Sequence, residues 1–450
     1  MFGRPLETIC WVLVGMLLPA TCLALGPDGS AIDTSDYTID FYEGPVRQGA
    51  RVMGLSGSIA PMAEGVAGYA VNPATAALRV PWSSRWTHWA LGANIGGPSP
   101  LRQMDFDNNG TADTEHGAVF LMFGTGLQLG GFGIGLQVDS DRYQVESRHV
   151  DGLDGDLDVE QGEVNLVVGY GFWRGQLALG LGIGAYSVQL SPGQSNGNDL
   201  PLAAVSGGTA QLGGIWSPRG LPVRTAVSLR LPVEGGEGAT PEHVEPNEEG
   251  DYVVEGYYFP RRITPPTELH VAVATQLFRP LNGPWITPPP RRRRRRGAPP
   301  PHESSASSES SASQRASDHR RHLLLSAALK TTLPVQNGVG IESFLTQSVE
   351  HSGRTTSFSP RVGVEGEPWT NMLVLRGGSY LEPSRFAEGA PRLHGTAGFD
   401  IHVPIKWSAF GLLDEETTFR IGGAVDGAAR YFGWRVGVGL WHQPRLSPGG

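Results

Sequence analysis

Along much of this chain, apolar residues fall on every second position, and no other feature narrows its folding options as far. In 132–139, Phe132, Ile134, Leu136 and Val138 alternate with Gly133, Gly135, Gln137 and Asp139. Just upstream, Val119, Leu121, Phe123, Leu127 and Leu129 alternate with Gly124, Gly126 and Gln128. Gly130-Gly131 joins the two runs as a two-residue hairpin turn would. The pattern returns at 164–172, 177–183, 223–231, 269–277, 393–403 and 434–440. A period of two puts successive side chains on opposite faces of a strand. The chain therefore reads as all-β, with one apolar face and one face of small or charged residues.

A soluble sandwich also buries one face of each strand, so three further details decide. The runs reach the ~10 residues that a tilted membrane-crossing strand needs. Short turns alternate with long polar loops. Aromatic residues gather at strand ends: Trp82, Trp86 and Trp89; Tyr170, Phe172 and Trp173; Trp216; Tyr431, Phe432 and Trp434. That is the pattern of an interfacial girdle. In hydrocarbon every backbone group must be paired, which strands achieve only by closing into a barrel. The expectation is a transmembrane antiparallel β-barrel of ~14 strands, with its apolar face toward outer-membrane lipid. Arg224, Arg230, Asp400, Arg420, Asp426 and Arg430 fall on the opposite, inward face and imply a polar lumen.

The rest of the chain divides around that barrel. Residues 1–24 carry Arg4, the apolar run ICWVLVGMLL, and small residues Cys22 and Ala24 at the −3 and −1 positions of a cleavage site, the layout of a secretory signal. Both cysteines, Cys10 and Cys22, lie inside it, so the mature chain is expected to carry no thiol or disulfide. Residues 25–82 precede the alternation and 83–442 contain it. Within the barrel, 279–322 form a Pro/Arg/Ser-rich stretch with six consecutive arginines, Arg291 to Arg296. Such a composition cannot build a core and reads as a disordered insert. Its side of the membrane turns on whether DYVVEGYYF, 251–259, counts as a strand. The net charge of −9 argues against nucleic acid as a partner.

A search for chemistry finds little, and no enzyme is expected. Glycines at 131, 133 and 135 fall at strand period and do not open a helix as a phosphate loop must. His394 and His402 share a strand face, ~26 Å apart at strand rise, too far for a metal pair. Asp105, Asp107, Asn109 and Asp113 stand at positions 1, 3, 5 and 9 of a calcium loop, with Gly110 at 6. His116 replaces the bidentate Glu at position 12. Ca²⁺ is one reading of that loop; a polar hairpin loop without metal is the other, and no further cofactor is expected. The acidic stretch 151–163 reads as a charged surface loop.

The segment 52–78, VMGLSGSIAPMAEGVAGYAVNPATAAL, fits neither helix nor strand. It resembles the N-terminal signature of the FadL-type long-chain fatty-acid and hydrophobic-compound transporters of Gram-negative outer membranes. Gly54, Gly57, Ala63, Glu64, Asn72, Pro73 and Ala74 fall at matching spacing, while Ser56, Gly65 and Thr75 depart from the family's residues. The resemblance implies that residues 25–82, which carry this signature, plug the barrel and that the protein passively takes up a small hydrophobic ligand. Two alternatives stay open: a docking barrel supporting secretion or surface attachment, and a secreted carbohydrate- or calcium-binding β protein.

Overall fold

The computed structural model describes residues 25–442, apart from 41–43, 63–64, 79–85, 99–103, 111–117, 146–156, 193–202, 234–245, 255–256, 261, 278–280, 283–322, 370–371, 388 and 406–416. Fourteen antiparallel strands close into a barrel. In chain order they are β1 Thr87–Pro98, β2 Val119–Leu129, β3 Phe132–Val145, β4 Leu157–Phe172, β5 Leu177–Pro192, β6 Ala203–Trp216 and β7 Val223–Val233. There follow β8 Glu268–Leu277, β9 Leu323–Thr332, β10 Ser357–Trp369, β11 Leu373–Glu382, β12 Arg392–Pro404, β13 Thr417–Ala428 and β14 Tyr431–His442. Each strand pairs with its sequence neighbours, and β14 closes on β1 through Val438↔Ala93 and Leu440↔Leu91.

The alternation sets the faces as expected. Leu121, Phe123, Ile134, Leu166, Leu181, Val273, Val364 and Val438 are among the exposed apolar residues of the outer wall. At one end most connections are short, those after β8 and β12 excepted. Gly130 turns at φ +60, and Trp173 and Arg174 both adopt positive φ in the turn between β4 and β5. Exposed Trp86, Trp173 and Trp216 ring this end, and β1 starts and β14 finishes here. Among the described residues no helix is long and apolar enough to cross a membrane.

The other end carries the long connections. Val253–Val254 pairs with Tyr257–Tyr258 in a small hairpin inside the loop from β7 to β8, so DYVVEGYYF adds no barrel strand. The 279–322 insert, which joins β8 to β9, is thereby anchored at the tight-turn end; apart from Leu281 and Asn282 it lies outside the described residues. Thr38–Asp40 forms the middle of a three-stranded parallel sheet between Arg262–Thr264 and Gly338–Val339. The Asp40 carboxylate holds Arg385 at 2.7 Å and Ser352 at 2.8 Å. Buried Tyr37 donates to the Tyr258 carbonyl at 2.7 Å, and burial pushes its hydroxyl pKa well above the ordinary tyrosine value.

On β3–β6 the wall turns inside out partway along. Near the tight turns Leu179, Leu181 and Ile183 of β5 face outward, but Ser187 and Gln189 replace them further along, while Tyr186, Val188 and Leu190 point inward and are buried. On β4 the outward set changes from Leu166 and Val164 to Glu160, with Val159 buried inside. The change follows the hydrogen-bond register Ser140↔Gly162↔Ser187↔Ser206. It also corrects the reading of 151–163 as a loop: β4 begins at Leu157. The apolar residues there sit on the opposite parity from those near the tight turns, so the stretch looks merely acidic.

Candidate functional site: the barrel lumen

Residues 44–78, except 63–64, run along the inside of the barrel from the loop end toward the start of β1. They contain one short helix, α1 Ala50–Gly54, and two 3₁₀ turns, Gly65–Gly68 and Pro73–Ala77. Small residues suit this course because backbone must pass close to backbone. A Cβ on Gly54 would stand 3.3 Å from the Cα of Gly398 on β12. Gly57 turns at φ +73 beside Arg361. Ser56 also adopts a positive φ, of 55°, a conformation that suits glycine best. Its hydroxyl compensates with a 2.8 Å bond to Thr396.

Asn72-Pro73-Ala74 is the most firmly bound part. Asn72 is extended and caps the second 3₁₀ turn, its Oδ1 accepting from Ala74 N at 2.9 Å, with Pro73 at the first helical position. The Asn72 Nδ2 donates to Gly214 O at 3.4 Å and Val227 O at 3.2 Å on the wall. Thr75, where the family carries glycine, bonds back to Asn72 O at 2.7 Å. From β2, Gln128 donates to Ala76 O at 2.6 Å and Leu78 O at 2.5 Å. Glu64 lies outside the described residues.

The mid-lumen is polar, and several of its buried charges are paired. Arg376 meets Glu365 and Asp400, each at 2.6 Å; Arg51 of α1 joins Glu365 at 3.4 Å and Arg420 joins Asp400 at 3.7 Å. Arg230 meets Glu163 at 2.5 Å. His394 bridges Glu382 at 2.6 Å and Asp426 at 2.8 Å. Tyr380 donates to Asp426 at 2.6 Å and accepts from Val46 N at 3.2 Å, tying this cluster to the lumenal segment. Of the six expected inward charges, Arg224, Arg230, Asp400, Arg420 and Asp426 line the lumen. Arg430 instead occupies the turn between β13 and β14 and donates to Gly110 O. The sequence marked Asp426 and the strand face of His394, but not that the two meet, nor Tyr380 on Asp426 and Glu382 on His394.

Toward the loop end the lining becomes apolar and aromatic. Phe106 sits 5.1 Å from Tyr143, 5.7 Å from Phe120 and 6.4 Å from Tyr431, centroid to centroid. Arg47 stacks over Phe106 and Phe120 and pairs with Asp141 at 3.0 Å. A cavity of about 40 Å³ lies between this cluster and Ile39, Ile341 and Phe386 of the loop-end structures.

In the 105–113 loop, Asp105 accepts from Gly110 N and Asp107 from Asn109 N, both at 3.2 Å. Asp113 lies outside the described residues. Among the described residues no group of three or more His, Cys, Asp or Glu could hold a metal ion. His394 and His402 both face the lumen on β12, His394 within its carboxylate pair.

No protein-family model and no curated protein sequence matches the chain. Among solved structures, the CymD monoaromatic hydrocarbon channel aligns with a TM-score of 0.51 at 10% identity, over 90% of this chain and 100% of that one. A Pseudomonas aeruginosa FadL homologue gives 0.49 at 12% identity, over 88% and 98%. The Pseudomonas putida toluene transporter TodX gives 0.46 at 12%, over 91% and 100%. The first of these shows a shared barrel fold over nearly the whole chain, the fold that the 52–78 resemblance implies.

Proposed function

We propose that this chain, which has the barrel fold of FadL-type outer-membrane channels, lets a small hydrophobic compound pass across the outer membrane without energy input, and that residues 44–78 are its plug. The observation that carries this reading is the inversion on β3–β6. A water-filled pore needs a polar lining, whereas here the wall beyond the apolar belt is polar outside and buries Tyr143, Val159, Val188 and Leu190 inside. Phe106, Phe120, Tyr143, Val159, Val188 and Leu190 offer an apolar solute a site shielded from water, and burial of its surface would draw it in. On this reading the tight turns and the arginine-rich insert face the periplasm, as short turns do in outer-membrane barrels.

The test is influx of N-phenyl-1-naphthylamine, a neutral apolar dye that fluoresces in lipid, into intact Gram-negative cells expressing the protein. Faster influx than in empty-vector cells is expected, with a decrease for Phe106→Asp. Influx equal to the empty-vector rate, with the barrel folded in the outer membrane, would sink the uptake reading. The sheet across the loop end favours one second reading, a docking barrel. That reading predicts no dye influx and loss of surface-attached protein on deletion.

A further inference from the structure

Where the loop end meets the lumen, one histidine is enclosed by acids. His394 of β12 is fully buried, as are both carboxylates it touches, Glu382 at 2.6 Å from Nε2 and Asp426 at 2.8 Å from Nδ1. Tyr380 stacks on the ring at 4.2 Å and Tyr431 lies against it at 5.3 Å, centroid to centroid. A neutral imidazole has one N–H and one bare lone pair. With a carboxylate on each nitrogen, that lone pair would point at an acceptor oxygen. Both contacts are satisfied when both nitrogens carry protons, and an imidazole holds a proton more readily than a carboxylate does. The imidazolium and Arg392, which meets Glu382 at 3.1 Å, then balance the two acids. Further out, Asp105 lies 3.9 Å from Arg392 and Arg361 lies over the Tyr380 ring at 5.2 Å, adding one charge of each sign.

This cluster grips both the aromatic site and the lumenal segment. Arg392 donates to the carbonyls of Asp105 and Phe106, the latter at 3.2 Å. From Asp426 the bonds run through the Tyr380 hydroxyl, at 2.6 Å, to Val46 N at 3.2 Å. The backbone at Gly44 lies directly on Glu382, for a Cβ there would overlap the carboxylate. We propose that the proton on His394 latches residues 44–46 to the wall beside the aromatic site, so that uptake is throttled at neutral pH and quickens when alkaline pH removes the proton. This rests on the uptake reading. Without the proton the buried cluster carries an unbalanced negative charge, which is costly. Hydrating Glu382 relieves it, and Gly44 is the backbone in the way. Asp426, facing a lone pair, no longer orients Tyr380 toward Val46. The movement is local, because Arg47 keeps Asp141 at 3.0 Å and Ala50 N keeps Asn94 at 2.9 Å.

The experiment reads naphthylamine dye influx into intact cells from about pH 6 to about pH 9, each point referred to empty-vector cells at the same pH. Wild-type influx should rise severalfold across that range. Asp426→Asn offers an N–H to the histidine lone pair while its oxygen still accepts from Tyr380, so a neutral ring is satisfied. Its influx should stay at the low wild-type level throughout. His394→Gln cannot titrate and sets its amide oxygen against one carboxylate. Checked for folding by heat-modifiable gel mobility, it should give high influx at every pH. A histidine that merely supported the wall would not give these two variants opposite, flat profiles. Independently of influx, NMR of the ¹⁵N-histidine-labelled protein, with the residue 394 signals identified by their loss in His394→Gln, should show both ring nitrogens protonated at neutral pH. Flat wild-type influx, an Asp426→Asn profile that follows the wild-type curve, or a neutral ring at 394 at neutral pH overturns the latch. If wild type admits no more dye than empty-vector cells at any pH while 394 holds an imidazolium, it is the uptake reading that has failed, and the two failures are told apart.

Discussion

The two sides of the lumen wall use glycine for opposite purposes. On β3–β6 the missing side chains let the lumenal segment's backbone lie on the wall. On β14 the space is taken by the wall itself: a Cβ at Gly437 would overlap Asn94 of β1, and one at Gly439 would stand 3.1 Å from Leu91 O. The segment is accordingly held by close backbone contact and the Asn72 hydrogen bonds on one side, and by ion pairs together with the close pass of Gly54 against Gly398 on the other. Glycine content alone does not say whether a wall meets the segment or its own neighbours; what stands opposite decides it.

The comparison can be broken at either side. Arg376→Met strikes the charged side, depriving Glu365 and Asp400 of their shortest partner and leaving Arg51 and Arg420 at 3.4 and 3.7 Å to hold them. Breaking a buried pair typically costs about 3–5 kcal/mol, so the denaturant midpoint followed by gel mobility should fall sharply. Gly180→Val strikes the seated side. Overpacking costs about 1–3 kcal/mol, and the upper end is expected because the obstacle is the Ala74 backbone, which cannot swing aside. Wild-type stability for Gly180→Val would show that close contact does not hold the segment. Asn72→Ala removes a cap worth about 1 kcal/mol together with two bonds to the wall. The barrel should fold with a modestly lower midpoint and an altered single-channel conductance. Gly439→Ala should cost less than Gly180→Val, because its Cβ would stand 3.1 Å from Leu91 O, whereas one at residue 180 would overlap the Ala74 nitrogen.

The smallest effect separates the loop-end structures from the lumen. Buried His351 lies there, 3.8 Å from Asp28. Burial, reinforced by Arg354, lowers its pKa below the ordinary histidine value, and Asp28 only partly opposes this. A histidine kept neutral in the fold contributes full stability above its unfolded pKa of about 6.5, and that contribution is lost as pH falls toward the lowered folded value. Limited proteolysis around 334–356 should therefore quicken on acidification below about pH 6.5 while the barrel stays resistant. Equal protection on both sides of that pH would remove His351 from the account.

Strand identity and facing were legible from residues such as Leu179, Leu181 and Ile183, because a period of two needs no knowledge of neighbours. The strand at 157–163 was not, because its apolar Val159 had changed face. Inward Glu163 and Gln161 then looked like parts of a solvated loop. For the lumenal segment, a motif marked Asn72-Pro73-Ala74, yet nothing local showed which wall they would touch. His394 carried no local sign of its carboxylate partners, which arrive from β11 and β13.

By itself the sequence determined an all-β chain with one lipid-compatible face, about the right number of strands and a small-residue segment ahead of them. Those properties follow from local periodicity and from the need to pair every backbone group in hydrocarbon. Only the tertiary structure decided that the insert joins the barrel at the tight-turn end, that β3–β6 turn inside out, and which wall residues the segment meets. Each of these depends on strand register and on which residues meet across the closed barrel, and a one-dimensional pattern does not encode what lies opposite.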